Sequence, residues 1–374
     1  MIGSPNMELK KINRNRIFRF IVQRNATSKA EISYALHISL PTVTQNIAAL
    51  MSQNLLTESG EYESTGGRRA KMISCVPRAK VALGIDITRN HISSVAVDLK
   101  GNIFGNIREK YTYRDAEDAA AKIERVIEYM INTYNIDEST ILGVGISLPA
   151  IIANDNQTIT TALVLPVPVD FYDRLKKRIH FPFLFYNDSN CGGFAELWSK
   201  KPTKNDVFYL SLSGTVGGAA LINDQIYAGI NDTCGEIGHQ ILVPNGEKCY
   251  CGQRGCVDCY CNSTRLTDMT GGDLDQFFEL LEQGDPAAKE AMEKYLDYLT
   301  IAIHNAKMLL DCDIILGGYV GSYSGKFMNE LKTRLYAMDT FKRNPDYVAG
   351  CHHHTEAAAV GAALMYIAKF IEDV

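Results

Sequence analysis

His239–Asn262 reads HQILVPNGEKCYCGQRGCVDCYCN and holds five of the chain's ten cysteines, Cys249, Cys251, Cys256, Cys259 and Cys261. Soft thiolates this close to an imidazole allow three chemistries: disulfide pairing, redox cycling or metal ligation. Spacing alone does not choose among them. The compartment and the surrounding fold have to.

The rest of the chain bears on that choice. With 46% hydrophobic and 22% charged residues over 374 positions, the composition is that of a soluble globular protein, long enough for two or three domains. No apolar run approaches a membrane span, and MIGSPNMELKKINRNR lacks the apolar core of a signal peptide. A cytoplasmic location is the expectation, and there clustered cysteines more often bind metal or stay reduced than form bridges. Charge is uneven. Residues 1–79 carry eleven Lys/Arg against five Asp/Glu, a net of +6 in a chain of net −5, which leaves −11 for the remainder. A basic head on an acidic body expects only the head to meet a polyanion.

The head has the grammar for that partner. Thr27–Leu56, TSKAEISYALHISLPTVTQNIAALMSQNLL, contains two helical blocks. Ser28 with Glu31 reads as a capping box, and Ile32, Ala35 and Leu36 as the buried face of the first block. A short HIS turn leads to Ser39 as N-cap, with Pro41 in the first turn of the second. There Val43, Ile47 and Leu50 share a face, and Thr42, Thr44, Gln45 and Asn46 share the other. A preceding helix over Asn15–Arg24 supplies Ile17, Phe18 and Ile21 beneath them. LTESGEYESTGGRRAKMISC then reads as strand, Gly-rich tip and returning strand, a wing whose Arg68 and Arg69 can enter a minor groove or grip phosphates. The spacing predicts a winged helix-turn-helix contacting operator DNA through Ser39, Pro41, Thr42, Thr44, Gln45, Asn46, Arg68 and Arg69. A protein–protein module with an incidental basic hairpin is the competing reading; helices, turn, wing and charge together oppose it.

From Val81 the pattern becomes α/β. VALGIDITRNHISSVAVDLKGNIFGNI reads as three strands, helices are predicted over Ala116–Tyr134 and Pro286–Leu310, and DVFYLSLSGTVGGAALINDQIYAG repeats the strand–turn–strand theme. Two hairpin-led halves imply an internally duplicated fold with a cleft between lobes.

Three stretches then carry a resemblance: YNDSN at 186–190, GEIGH at 235–239 and CYCGQRGC at 249–256. Together with the winged head and GGRR, they make the chain resemble the repressor branch of the ROK family (repressor, open reading frame, kinase). The resemblance implies two lobes of the actin-like, ribonuclease-H-like ATPase architecture. It divides the chain into a head, 1–78, and a sugar-binding domain, 79–374. Lobe one would take 79–188 plus the C-terminal helix 355–374, and lobe two 189–354 with the zinc loop at 239–261. It also implies a structural Zn2+ held by His239, Cys249, Cys251 and Cys256, a tetrahedral N/S set with no open position for catalysis. Gly252 and Gly255 let the loop wrap. Cys259 and Cys261 are surplus thiols near the site, either able to swap in.

The same resemblance implies that a monosaccharide effector meets Asn187, Asp188, Glu236, His239 and Asp258, the last one methylene shorter than the family's Glu. Asp188 is the position of the kinases' general base, here vestigial; the competing reading is a helix N-cap. The phosphate loops depart from the family. DITRN (86–90) replaces Asp-x-Gly-Gly-Thr, SGTVGG (213–218) is out of step with Gly-Thr-Gly-x-Gly, and Pro149–Ala150 replaces Pro-Gly. Gly317 and Gly318 keep the adenosine-side pair. The expectation is a sugar-responsive repressor, not an enzyme, acting as a homodimer or tetramer on operator DNA with no membrane partner. The alternative is an active ATP-dependent sugar kinase with an appended head. Cys351–His354 (CHHH) is expected to be a solvated loop and Trp198 part of the core. Cys75, Cys191, Cys234 and Cys312 are read as small buried hydrophobes.

Overall fold

The computed structural model describes residues 5–61, 71–199 and 206–374. It begins with three helices, α1 (Pro5–Val22), α2 (Lys29–Leu36) and α3 (Leu40–Ser52), followed by an antiparallel ribbon of β1 (Leu56–Glu61) and β2 (Lys71–Cys75). Ile17, Phe18, Ile21, Ile32, Val43 and Leu50 are fully buried among these elements, as their spacing requires. Ser28 caps α2 by accepting from the Glu31 N–H, but Glu31 takes the Thr27 hydroxyl instead of closing the box. Ala35, expected inside, is exposed; the buried face of α2 rests on Ile32. The turn into α3 passes through His37 at φ 55°, and Ser39 caps α3 with Pro41 in its first turn.

α1 starts ten residues earlier than predicted. Its first half has no apolar stripe to read, because what fixes α1 lies at the other end of the chain. Lys11 pairs with Asp373, Arg14 Nε donates to the Val374 carbonyl, and Phe18 meets Phe370 edge-on.

The body repeats one topology. Strands β3 (Val81–Ile87), β4 (His91–Asp98) and β5 (Ile103–Lys110) form a meander. Helix α4 (Ala116–Thr133) follows, then β6 (Ile141–Leu148), a short pair β7 (Ile151–Ile152) and β8 (Ile159–Thr161), α5 (Phe171–Lys176) and β9 (Phe183–Asn187). The first sheet runs β5-β4-β3-β6-β9, antiparallel through the meander and parallel from β3 to β9. After α6 (Asp188–Ser199) come β10 (Val207–Leu212), β11 (Val216–Ile222) and β12 (Gln225–Ile226). The long cysteine-rich loop leads into α7 (Asp258–Cys261), α8 (Thr264–Thr267), α9 (Leu274–Glu282) and α10 (Pro286–Leu310). The chain closes with β13 (Asp313–Gly317), α11 (Gly318–Gly321), α12 (Met328–Met338), β14 (Val348–Gly350) and α13 (Ala357–Asp373). The second sheet runs β12-β11-β10-β13-β14, the same order and the same mix of directions as the first. The expected duplication is present.

Two helices join the halves. α13 packs on β3, β4 and β6, while α6 packs on β10 and β11 and against α13. Their crossing is close enough that a Cβ on Gly361 would lie 1.8 Å from the Cys191 carbonyl oxygen, so only glycine fits there. The expected lobe division at 188/189 falls at the first residue of α6, a helix that packs on the second sheet and on the helix of the first. The apolar core of the head is continuous with α13 through Ile367, Ile371 and Val374. Among the described residues no helix is long and apolar enough to cross a membrane.

Candidate metal centre and ligand cleft

A 3-10 turn over Ile237–His239 brings His239 beside the loop carrying Cys249, Cys251 and Cys256. Gly255 makes that loop possible: its φ is +80°, and a Cβ there would meet the Val243 carbonyl oxygen at 1.7 Å. One ligand atom from each of the four residues lies within 4.8 Å of all the others. Cys249 Sγ is 3.8 Å from His239 Nδ1, and Cys251 Sγ is 3.8 Å from Cys256 Sγ. Metal–sulfur bonds of about 2.3 Å in a tetrahedron require sulfurs about 3.8 Å apart. The donor set and its edges therefore fit a four-coordinate metal ion. Burial pushes the Cys249 and Cys256 thiols up; at Cys251 burial is outweighed by the Gln253 N–H and the neighbouring thiols. Cys259 and Cys261 are buried outside this cluster, and all ten cysteines are free, so no disulfide competes.

Beside the cluster lie the residues assigned to the sugar. Asn187 Oδ1 accepts from the Asn190 N–H, which makes Asn187 the N-cap of α6, and its Nδ2 donates to the Ala150 carbonyl. The cap reading thus belongs to Asn187, and the Asp188 side chain takes only the adjacent Ser189 N–H and hydroxyl. Burial, then the charges of Asp86 and Glu236, push the Asp188 carboxyl up to about 7. Asp86, whose Oδ1 accepts from the Ser147 hydroxyl, is pushed up to about 6 by burial. Burial also raises Glu236, against the pull of His239, and Asp258, against the Val216 N–H that donates to its Oδ1. Asp86, Asp188, Glu236, Asp258 and His239 thus form one electrostatically linked group. Asp86 was not singled out as a cleft residue from sequence, although it ends the first buried strand at the turn beside the site.

At the turns that the resemblance matches to the family's phosphate loops, four backbone N–H groups are bonded within the chain. In the first hairpin the His91 N–H donates to the Thr88 hydroxyl. In the second, the Val216 N–H is on Asp258. At the retained glycine pair, the Gly318 N–H donates to the Tyr209 hydroxyl and the Tyr319 N–H to the Ser213 hydroxyl. Ser213 stands where the family pattern has its first glycine, and its side chain supplies the bond.

On α3, Thr44 and Gln45 are exposed, as is Pro41. Thr42 is half-buried, and Asn46 is held by donation to the Thr42 carbonyl. Arg68 and Arg69 lie outside the described residues. CHHH lies in the loop before α13 with His352 and His354 exposed, as expected, but its third residue departs. His353 is buried with Nε2 at 2.7 Å from the Ser199 hydroxyl, and the N–H groups of His352 and His353 converge on the fully buried Glu196 carboxylate. Trp198 is half-buried against the core, and Cys234 is half-buried while Cys75, Cys191 and Cys312 are buried.

The sequence model of the ROK family matches residues 82–369. The chain belongs to the ROK family. A xylose repressor of Bacillus spizizenii is 26% identical over 303 residues, 79% of each chain. A ROK family transcriptional regulator homologous to the E. coli MLC protein shares the fold over 98% of this chain and 97% of its own, with TM-score 0.77 and 19% identity. A ROK glucokinase from Streptomyces griseus, in complex with glucose and AMPPNP, aligns with 76% of this chain and 98% of its own, with TM-score 0.65 and 21% identity. The regulator's fold accounts for the head as well as the lobes; the glucokinase's covers a share equal to the body alone.

Proposed function

We propose that this ROK protein is a sugar-responsive transcriptional repressor whose lobes bind a free monosaccharide and no longer phosphorylate it. The observation that carries the reading is that the Val216, Gly318 and Tyr319 N–H groups, at the turns matched to the phosphate loops, are already bonded within the chain, on a protein bearing a helix-turn-helix head. A phosphate taking those donors would have to break their bonds and approach the Asp258 carboxylate, both of which cost free energy. Relatives named xylose repressors support the same reading.

In this account the ion at His239, Cys249, Cys251 and Cys256 is zinc. It supplies cross-linking, fixing the Glu236–His239 turn against the cleft, and no reactive position. Asn187, Asp188, Glu236, His239 and Asp258 meet the sugar. Carboxyl groups accept from hydroxyls, those that stay protonated also donate, and any that ionise repel a phosphate ester, so the effector is an unphosphorylated sugar. Asp188, the base position of the kinases, serves as an acceptor. Residues 1–78 form the DNA-binding unit and 79–374 the effector unit, with Ser39, Pro41, Thr42, Thr44, Gln45, Asn46, Arg68 and Arg69 on DNA. The chain acts as a dimer, matching a two-fold operator.

Effector control requires the sugar to bind two lobe arrangements unequally. The route is short: Asp188 opens α6, α6 crosses α13 at Cys191 and Gly361, and the end of α13 holds α1 of the head. Incubation with Mg-ATP and D-glucose, D-xylose or N-acetylmannosamine tests the reading. No phosphate transfer is expected; steady turnover would overturn it in favour of a kinase with an appended head.

A further inference from the structure

The chain passes between the two halves twice. At the first passage β9 ends beside β6, with Asn187 opposite Leu148, and α6 begins at the next residue, Asp188. At the second, Cys351 still belongs to the second sheet, its N–H on the Leu316 carbonyl, and α13 begins at Ala357 against the first. Residues 352–356 are the whole of that passage. Short segments at element ends are where lobes pivot on one another.

One helix holds both passages. Glu196 of α6 is fully buried, and its carboxylate takes the backbone of the second passage. Oε1 accepts from the His352 N–H at 2.9 Å and from the His353 N–H at 2.7 Å, and Oε2 accepts from the His352 N–H at 2.9 Å. A turn further along the same face, the Ser199 hydroxyl lies 2.7 Å from His353 Nε2. Backbone N–H groups drawn inside need such partners, and bonds to a carboxylate shielded from water are among the strong ones. From Asp188 to Glu196 is about 12 Å of helix at 1.5 Å per residue. The carboxylate assigned to the sugar and the one that grips the passage to α13 thus sit on one rigid element.

We propose that Glu196 is a positioning residue for effector control: by tying His352 and His353 to α6, it makes α6 and the start of α13 shift as one body when a ligand engages Asp188. This rests on the sugar-responsive reading above and names the bonds through which that reading works. Being fully buried, Glu196 itself meets no ligand. Without its bonds the second passage turns independently of α6, and a ligand at Asp188 no longer biases the helix that carries the head.

The test measures, for the full chain, the fold-change in operator Kd between no sugar and saturating sugar. It uses an operator duplex selected from a random-sequence pool and whichever of D-xylose, D-glucose and N-acetylmannosamine the wild type binds. Melts establish that each variant is folded at the assay temperature, so a lower stability alone leaves the fold-change as it was. Glu196→Gln, which sets an amide NH2 against a backbone donor, should reduce the fold-change by a factor of about 2 or more, with sugar still bound. Ser199→Ala, which removes only the His353 ring contact, should reduce it less. His354→Ala, an exposed ring on the same passage, should leave it as in wild type. An undiminished fold-change in folded Glu196→Gln overturns the proposal, as does an equal fall in His354→Ala. If Glu196→Gln does not fold, Ser199→Ala decides, and an undiminished fold-change there overturns the proposal. If wild type binds none of the sugars, or binds one with no change in operator affinity, it is the sugar-responsive reading that fails, and Glu196 has nothing to transmit.

Discussion

Replacing Asp188 by Asn should stabilise the protein, and more so as pH rises. Asp188 titrates near 7 in the fold against 3.8 in the unfolded chain, chiefly because burial disfavours its charge and Asp86 adds repulsion. A raised carboxyl contributes its stability at low pH and loses it as pH climbs through the folded value. At pH 5 the native carboxyl is still mostly protonated; by pH 8 it is ionised and the full penalty is present. Those two units between pH 5 and 7 correspond to at most about 2.7 kcal/mol at 1.36 kcal/mol per unit. Part of it is shared with Asp86, so about 2 kcal/mol is the expected gain of the Asn variant between the two pH values. In a body of this size that is a melting-temperature difference about 3 °C larger at pH 8 than at pH 5. Thermal melts of both proteins across pH 5–8 measure it. A difference that does not change with pH, or an Asn variant less stable at pH 8, would refute the view of Asp188 as a strained acceptor awaiting a hydroxyl donor.

Three further outcomes are expected. Cys251→Ser should lower bound metal from near equimolar to a small fraction and reduce the melting temperature, read by elemental analysis and calorimetry; Cys259→Ser should leave metal content intact, since its sulfur lies outside the cluster. Gly361→Val should force α6 and α13 apart, costing about 1–3 kcal/mol in denaturant melts, because even one methyl would meet the Cys191 carbonyl. Gln45→Ala should weaken specific DNA binding by about 1–3 kcal/mol in a mobility-shift assay while leaving sugar affinity unchanged, since Gln45 is exposed on α3 and far in sequence from the cleft.

The sequence showed much of this fold because its strongest signals are local. Val43, Ile47 and Leu50 mark α3, and the continuous apolar runs of β3 and β6 mark strands buried on both faces. The candidate quartet came from the resemblance, whose Cys-x-Cys-Gly-x-x-Gly-Cys signature is local, at 249–256. Long-range anchoring was not legible. The first half of α1 has no apolar stripe and is held by the last residues of α13. Ala35 fits a buried helical face yet is exposed, so periodicity placed it wrongly. CHHH reads as polar, and the burial of His353 goes with Glu196, from a helix more than 150 residues earlier, whose carboxylate takes the His352 and His353 N–H groups. The Asp258–Val216 and Ser213–Tyr319 bonds are of the same kind: the sequence showed missing glycines, while the fold shows what took their place.

The central claim is that one sugar cleft and one DNA grip share a free energy. Its most direct test measures sugar Kd on the free protein and on the protein bound to an operator duplex selected from a random-sequence pool, alongside operator affinity with and without saturating sugar. The account predicts that both constants shift by the same factor, at least about 5-fold. A sugar that binds with equal affinity to the free and operator-bound protein, leaving operator affinity unchanged, would contradict it.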